Sequence, residues 1–177
     1  ISHYIGNSAV GIYSVAYALV SAFYLIPASL SQSYFSKFSE YYNKTEKFRL
    51  IIRDSISKTT LIMVPTCAIL YFVADFFIVN VYGINYYESV LLFKILILSL
   101  VFKFYSFPYG FFLSATENQK TRISIQAVTA VFNLVTNLIF IPIYGIVAAA
   151  VITVLSEALL AGLYYVFTIR YFKCKKI

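Results

Sequence analysis

The sequence predicts an all-α integral membrane protein whose chain crosses a bilayer five times. Hydrophobic residues make up 61% of its 177 residues and charged residues 12%, whereas a soluble domain carries about 25% charged residues. A chain of this length has too much surface to hide so many apolar side chains in one core. The uncharged runs far exceed the ~10 residues of a barrel strand, so the predicted spanning elements are helices.

Five stretches have the length and composition of transmembrane helices, for which about 20 apolar residues suffice. The third stretch is less apolar than the others because it carries Lys94 and Lys103. Pro142 and Gly145 divide the last uncharged run into two spans, since proline tends to stop helices. The predicted spans are residues 11–35, 59–74, 89–113, 123–141 and 146–169.

The connections alternate between basic and non-basic. Residues 37–58 hold six Lys and Arg, the next connection has Asp75 and Glu88, the one after has Lys120 and Arg122, and the turn at Pro142 is uncharged. The tail, residues 170–177, is again basic. Because basic residues collect on the cytoplasmic side, this pattern predicts that the amino end lies outside the cell and the carboxyl end in the cytoplasm. The net charge of +7 then indicates attraction to anionic lipids rather than nucleic-acid binding.

Within the basic segment, apolar residues recur at helical spacing among the cations: Phe48, Ile51, Ile52 and Ile56. The spacing predicts an interfacial helix that leads into the second span. The alternative is a solvated linker. Since the chain begins with Ile1 and lacks a signal sequence, we expect a fragment of a longer protein.

Polar residues of the fourth span fall at intervals of three, four, three and one, which keeps them on one helical face. Lipid is a poor solvent for that face, so we expect it to look toward other helices or a hydrated cavity. Amides there could bind sugar hydroxyls or could simply cross-link helices, and both interpretations stay open. The residues are Gln126, Thr129, Asn133, Thr136 and Asn137.

Lys103 and Glu157 lie near the middle of the third and fifth spans, where a charge costs a few kcal/mol. They could serve an anionic substrate and a coupling cation respectively, or they could form a structural ion pair. Small residues repeat every four positions around Glu157, which directs it into protein rather than lipid. Lys94, near the outer end of its span, is expected to snorkel to the head groups.

Catalytic and metal-binding groups are not predicted. His3 stands alone, Cys67 and Cys174 lack the spacing of a disulfide or metal site, and no catalytic triad or phosphate-binding loop is visible. The sequence thus predicts neither an enzyme nor a cofactor.

Several local patterns, in order along most of the chain, resemble a known family. They are Gly6 with Val10-Gly11-Ile12-Tyr13 and Ala16, Ile26-Pro27, Ser114-Ala115, Asn133 and Asn137, Ile141-Pro142, Gly145 and Ala148-Ala149-Ala150. The sequence is similar to the carboxyl-terminal part of polysaccharide flippases of the multidrug, oligosaccharidyl-lipid and polysaccharide exporter superfamily, which act in O-antigen, lipopolysaccharide and capsule synthesis. It departs from them at two places. The family often has a glycine where this chain has Ala148, and often a proline where this chain has Tyr34-Phe35-Ser36.

The resemblance implies five helices from the C-terminal lobe of a two-lobe, 12-helix transporter, with the amino-terminal lobe and one further helix missing. It implies alternating access that flips an undecaprenyl-pyrophosphate-linked oligosaccharide, with Lys103 a candidate for the pyrophosphate. Gln126, Asn133 and Asn137 become candidates for sugar hydroxyls, and Glu157 for coupling H⁺ or Na⁺. Polysaccharide assembly proteins are implied as further partners.

Three alternatives remain. A cation-coupled multidrug exporter of the same superfamily would need acidic cavity residues, which Glu157 could supply. A membrane-embedded glycosyltransferase or polymerase would need a long outer loop with acidic residues or arginine, and the predicted outer connections are short. A non-transporting scaffold would tolerate loss of every midplane polar group.

Overall fold

The computed structural model describes residues 6–41 and 45–174. His3, three residues of the basic segment and the end of the tail therefore lie outside the described residues. Within these two ranges the ordered elements are helices and none is a strand, which confirms the all-helical prediction. The α-helices are α1 (Asn7–Ala22), α2 (Leu25–Ser33), α3 (Phe35–Tyr41), α4 (Thr45–Tyr82), α5 (Glu88–Ala115) and α6 (Gln119–Cys174), with a 3₁₀ turn at Ile84–Tyr86.

Four helical stretches of the described chain are long and apolar enough to cross a membrane. A helix rises 1.5 Å per residue, so the longest stretch would measure about 80 Å if straight, against a hydrocarbon core of about 30 Å. It must therefore fold back on itself or leave the bilayer. The stretches are Ser8–Tyr41, Lys47–Tyr82, Glu88–Ala115 and Gln119–Lys173.

The helix α6 doubles back at Gly145. There φ is 67° and ψ is −152°, a backbone conformation that is essentially restricted to glycine. The Asn133 side-chain amide donates to the Ser156 hydroxyl at 2.9 Å, although 23 residues of straight helix would separate them by about 35 Å. We call residues 119–144 the first arm and residues 146–174 the second arm. Pro142 stays inside the helix, so the glycine alone makes the break.

The predicted first span is bent rather than straight. Pro27 has no N–H, and its ring crowds the carbonyl four residues earlier, that of Phe23. The chain responds with a tighter turn in which Ile26 N–H donates to Phe23 O at 3.2 Å, and α2 begins just beyond α1. A second tight turn, from Tyr34 N–H to Ser31 O, separates α2 from α3.

The basic segment and the second span form one continuous helix. Phe48 and Ile52 are buried in α4, so the helical periodicity predicted a helix correctly. The helix continues past the predicted end at residue 74 and stops at Gly83, whose φ is 88° and whose N–H donates to Val79 O. Asp75, expected in a connection, lies inside α4, where Lys94 neutralises its carboxylate at 2.6 Å.

The helix α5 is central and contacts each of the other α-helices of the described chain. At one end of the molecule it packs with α1, α4 and the second arm around buried residues such as Val20, Ile78 and Leu96. At the other end an aromatic core forms around Phe48 and Phe112, whose ring centroids are 5.3 Å apart. This aromatic core lies beside the basic segment, so the two ends of the bundle differ in chemistry.

Candidate functional site

A polar cavity of about 500 Å³ lies between α1 and the two arms of α6. Its walls carry amide, hydroxyl and carboxylate groups within a bundle whose outer surface is largely apolar. Polar surface at such depth is costly in lipid, so it is a candidate for function. The lining residues are Tyr13, Tyr17, Gln126, Thr129, Ala130, Asn133, Asn137, Ala149, Thr153, Ser156, Glu157 and Leu160.

The phased amides of the first arm reach this cavity. Gln126, Asn133 and Asn137 all line it, as does Thr129. Thr136 departs from the predicted face. It lines a separate apolar groove, and its hydroxyl donates to Phe132 O at 2.7 Å, which satisfies it within its own helix.

Asn133 and Asn137 form a small hydrogen-bonded network. Asn133 bridges the arms by donating to Ser156, and the Asn137 amide donates to Asn133 Oδ1 at 3.0 Å and to Asn133 O at 2.8 Å. The Asn137 Oδ1 atom is buried and has no hydrogen-bond partner within the described chain. A buried acceptor without a donor is costly, so this oxygen is available to a ligand hydroxyl or a water molecule.

Lys103 and Glu157 form an ion pair between α5 and the second arm. Their Nζ and Oε1 atoms are 2.8 Å apart, and each side chain is 17% exposed. The lysine ammonium also lies 5.2 Å from the centroid of Tyr24 and 5.7 Å from that of Phe107, within cation–π range. The second carboxylate oxygen of Glu157 is buried and unpartnered among residues 6–41 and 45–174.

Two tyrosines of α1 belong to the cavity although the sequence did not single them out as site residues. Tyr13 stacks on Tyr17 at a centroid separation of 5.9 Å, and its hydroxyl lies 3.1 Å from that of Thr153. The signal available was their spacing of four residues, which places both rings on one side of the helix. Ser156, also missed, contributes the hydroxyl that bridges the arms.

Lys94 pairs with a carboxylate that its place in the sequence did not indicate. Its ammonium pairs with Asp75 on α4 and lies 5.2 Å from the centroid of Tyr71.

Apolar helices around a polar cavity define a polytopic membrane protein. Residues 1–91 match a family described as polysaccharide biosynthesis protein, which is half of the chain, and the chain belongs to that family. No curated protein matches the sequence. The fold is similar to that of the lipid II flippase MurJ in an inward closed conformation, with a TM-score of 0.72 and 20% identity.

That structural match covers 92% of this chain and 36% of the MurJ chain. The chain thus spans about a third of that protein. The family match confirms the predicted resemblance to polysaccharide biosynthesis proteins, and the structural match confirms that the fold is like that of a flippase.

Proposed function

We propose that this chain is part of a flippase that turns an undecaprenyl-pyrophosphate-linked oligosaccharide from the cytoplasmic to the outer leaflet, for O-antigen or capsule synthesis. The observation that carries the proposal is the polar cavity between α1 and α6, in a chain that belongs to a polysaccharide biosynthesis family. A sugar cannot cross hydrocarbon without polar partners, and this cavity offers them.

On this proposal the chain crosses the membrane five times. The break at Gly145 turns α6 into two crossings, each arm being longer than the ~20 residues that a span needs. The five helices would belong to the C-terminal lobe of a 12-helix transporter, with the basic segment and tail in the cytoplasm. The likeness to a third of a lipid II flippase supports such a lobe.

The cavity amides suit a hydroxyl-rich ligand. Gln126 is exposed and offers both a donor and an acceptor, while Asn137 presents an unsatisfied acceptor. Several such contacts recognise hydroxyl groups without requiring a fixed charge on the sugar.

Lys103 and Glu157 supply a switchable charge pair. While they are paired, neither charge is fully available to a ligand. If Glu157 takes up H⁺ or Na⁺ through its unpartnered oxygen, Lys103 is released toward an anionic group. We propose that this exchange couples ion binding to substrate binding during alternating access. Such a role is transport rather than catalysis.

The same glutamate favours a second candidate, a cation-coupled multidrug exporter. A carboxylate that lines a cavity with two tyrosines could bind an organic cation. Deletion of the gene would then raise drug sensitivity and leave surface polysaccharide intact.

The test is deletion of the gene in its own bacterium, followed by extraction of lipid-linked oligosaccharide from the inner leaflet. A flippase predicts accumulation of the oligosaccharide and loss of surface polysaccharide, both reversed by the wild-type gene. Intact polysaccharide without accumulation would reject the proposal.

The Asn137→Leu variant tests the cavity itself. We expect it to express normally and to restore about a fifth of the surface polysaccharide, because a buried acceptor facing the sugar is lost; one hydrogen bond of this kind is worth about 1 kcal/mol. Asn80→Leu is the matched control, since Asn80 is an exposed amide on α4 that bonds only to its own helix in the described structure. Equal activity of the two variants would remove Asn137 from the site.

A further inference from the structure

We propose that Arg122, together with Tyr164, forms an anion-binding site for the diphosphate of the lipid-linked substrate. The proposal rests on the proposed function for the identity of that substrate. It names a residue outside the cavity and outside the set of candidates that the sequence offered.

The first support is the charge balance of the bundle. The three ion pairs of the described chain engage Asp54, Asp75 and Glu157 with lysines. Arg122 is half-buried and has no carboxylate partner among residues 6–41 and 45–174. A partly desolvated guanidinium that lacks a counter-ion is costly, and a bound anion would remove that cost.

The second support is the geometry around the guanidinium. Its Nη1 donates to the Ser114 hydroxyl, and its plane lies over the Phe111 ring with 5.7 Å between Cζ and the ring centroid. These contacts with α5 fix the orientation of the planar, forked guanidinium group of Arg122. A fixed guanidinium loses less entropy on binding phosphate than a flexible lysine does.

Two polar atoms beside this fork lack hydrogen bonds of ordinary geometry within the described structure. They are Arg122 Nε and the hydroxyl of Tyr164, a residue that is only 2% exposed; the Arg122 guanidinium and this hydroxyl interact with each other through charge and a weak hydrogen bond. Both atoms can donate, and two adjacent donors match a phosphate oxygen.

The third support is placement relative to the cavity. Arg122 precedes Gln126 by four residues on the first arm, and Tyr164 follows Leu160 by four residues on the second arm. Residues four apart lie on the same helical face, so both continue the lining of the cavity by one turn toward the aromatic core. Gly110 lets α5 pack closely against both side chains, since a Cβ there would lie 3.3 Å from the Tyr164 ring and 3.6 Å from Arg122 Nε.

On this proposal the two sites bind different parts of the substrate. The sugar occupies the polar cavity and the diphosphate sits one turn beyond it, at the end of the bundle that carries the basic segment. In the observed conformation Lys103 is neutralised by Glu157, so Arg122 makes the first contact with the anion.

The experiment measures lipid binding by the full-length protein in nanodiscs of neutral lipid. The probes are undecaprenyl diphosphate and its uncharged counterpart undecaprenol. We expect Arg122→Gln to weaken diphosphate binding about tenfold, the effect of losing hydrogen bonds to a charged group, and to leave undecaprenol binding unchanged. Arg122→Lys should recover part of the affinity, and Tyr164→Phe should lose about threefold.

Arg49→Gln is the matched control, because Arg49 is also half-buried and also lies over an aromatic ring, that of Phe172 at 5.3 Å. It should bind as the wild type does. Thermal unfolding of each variant is measured in parallel, and Tyr164→Phe supplies the reading if Arg122→Gln is misfolded. Unchanged diphosphate affinity in the folded variants would overturn the proposal, as would an equal loss for phosphatidylglycerol, which has a single phosphate.

The binding assay tests the anion site and the deletion experiment tests the flippase proposal, so one can be refuted without the other. Arg122-dependent diphosphate binding in a strain whose deletion traps no oligosaccharide would refute the flippase and keep the anion site. A trapped oligosaccharide together with unaltered diphosphate binding by Arg122→Gln would support the flippase and refute the anion site.

Discussion

At the scale of single residues, the Lys103–Glu157 pair lets two charges lie inside the bundle because each neutralises the other. Removing one partner of a buried pair leaves a charge without compensation, whereas removing both can be nearly neutral. The pair is 17% exposed on each side, so most of that penalty should apply. The exposed pair of Lys58 and Asp54, 58% and 48% exposed, should matter little.

Lys103→Met is therefore expected to lower the free energy of unfolding by about 3 kcal/mol, because Glu157 is stranded. The double variant Lys103→Met with Glu157→Leu should recover most of this loss. Lys58→Met, the exposed control, should leave the free energy of unfolding close to that of the wild type. Unfolding by denaturing detergent measures all three, and a double variant as unstable as the single one would contradict the expectation.

Residue-level prediction from sequence was partial for a physical reason. Depth along a span identified Lys103 and Glu157, since charge near a bilayer midplane stands out in a hydrophobic run. The partner of Lys94 could not be found this way, because Asp75 lies on another helix, 19 residues earlier. Arg122 was counted as a connection charge, and its half-buried position depends on α5 and the second arm.

At the scale of elements, Gly145 makes the hairpin of α6 possible. Its φ of 67° and ψ of −152° are barely accessible to residues with a side chain. A Cβ at this position would meet no atom of the described chain within 4 Å apart from those of its two neighbours in the sequence. Any effect of a substitution there therefore comes from the backbone rather than from packing.

Gly145→Ala is predicted to destabilise the protein by about 1–3 kcal/mol, the usual cost of such strain. Gly162→Ala is the control, because its Cβ is equally unhindered within the described structure but its backbone is helical. It should be neutral or stabilising by up to about 1 kcal/mol. Comparing the thermal unfolding of the two variants checks this, and equal effects would assign the loss to something other than backbone conformation.

Element boundaries were predicted where composition marks them. Pro142 and Gly145 located the fold-back of α6 to within a few residues. The bends at Phe23 and Tyr34 were not predicted, because the run from Tyr4 to Ser36 has no charge to interrupt it, and Pro27 was assigned only to the family resemblance. The continuity of α4 was also missed, since basic residues mark a change of surroundings but do not break a helix.

At the scale of the whole molecule, orientation is the property most open to test. The basic segment lies at one end of α4 and the turn at Gly83 at the other. If basic residues face the cytoplasm, the turn at Gly83 faces outward.

Ser57→Cys places a single thiol at an exposed site in the basic segment, and Asn85→Cys places one at an exposed site in the turn after Gly83, each in a background where Cys67 and Cys174 are serine. We expect an impermeant maleimide to label Asn85→Cys in intact cells and Ser57→Cys only after lysis. Labelling of Ser57→Cys from outside would invert the proposed topology.

The class of the molecule followed from its composition, whereas the shape of its cavity did not. Three segments far apart in the chain, α1 and both arms, supply the walls. The phase of the first arm showed that one wall was polar. The contributions of Tyr13 and Ser156 arise when the arms close on α1, which no local pattern encodes.

The uninterrupted α4 has a mechanical consequence. At 38 residues it measures about 57 Å, nearly twice the thickness of the hydrocarbon. A tilt of about 10° in its membrane half, if the helix moves as a rigid rod, would swing its far end by several ångströms. A small rocking motion of the bundle would then produce a larger displacement at the basic segment, because α4 acts as a lever arm that ends among the head groups.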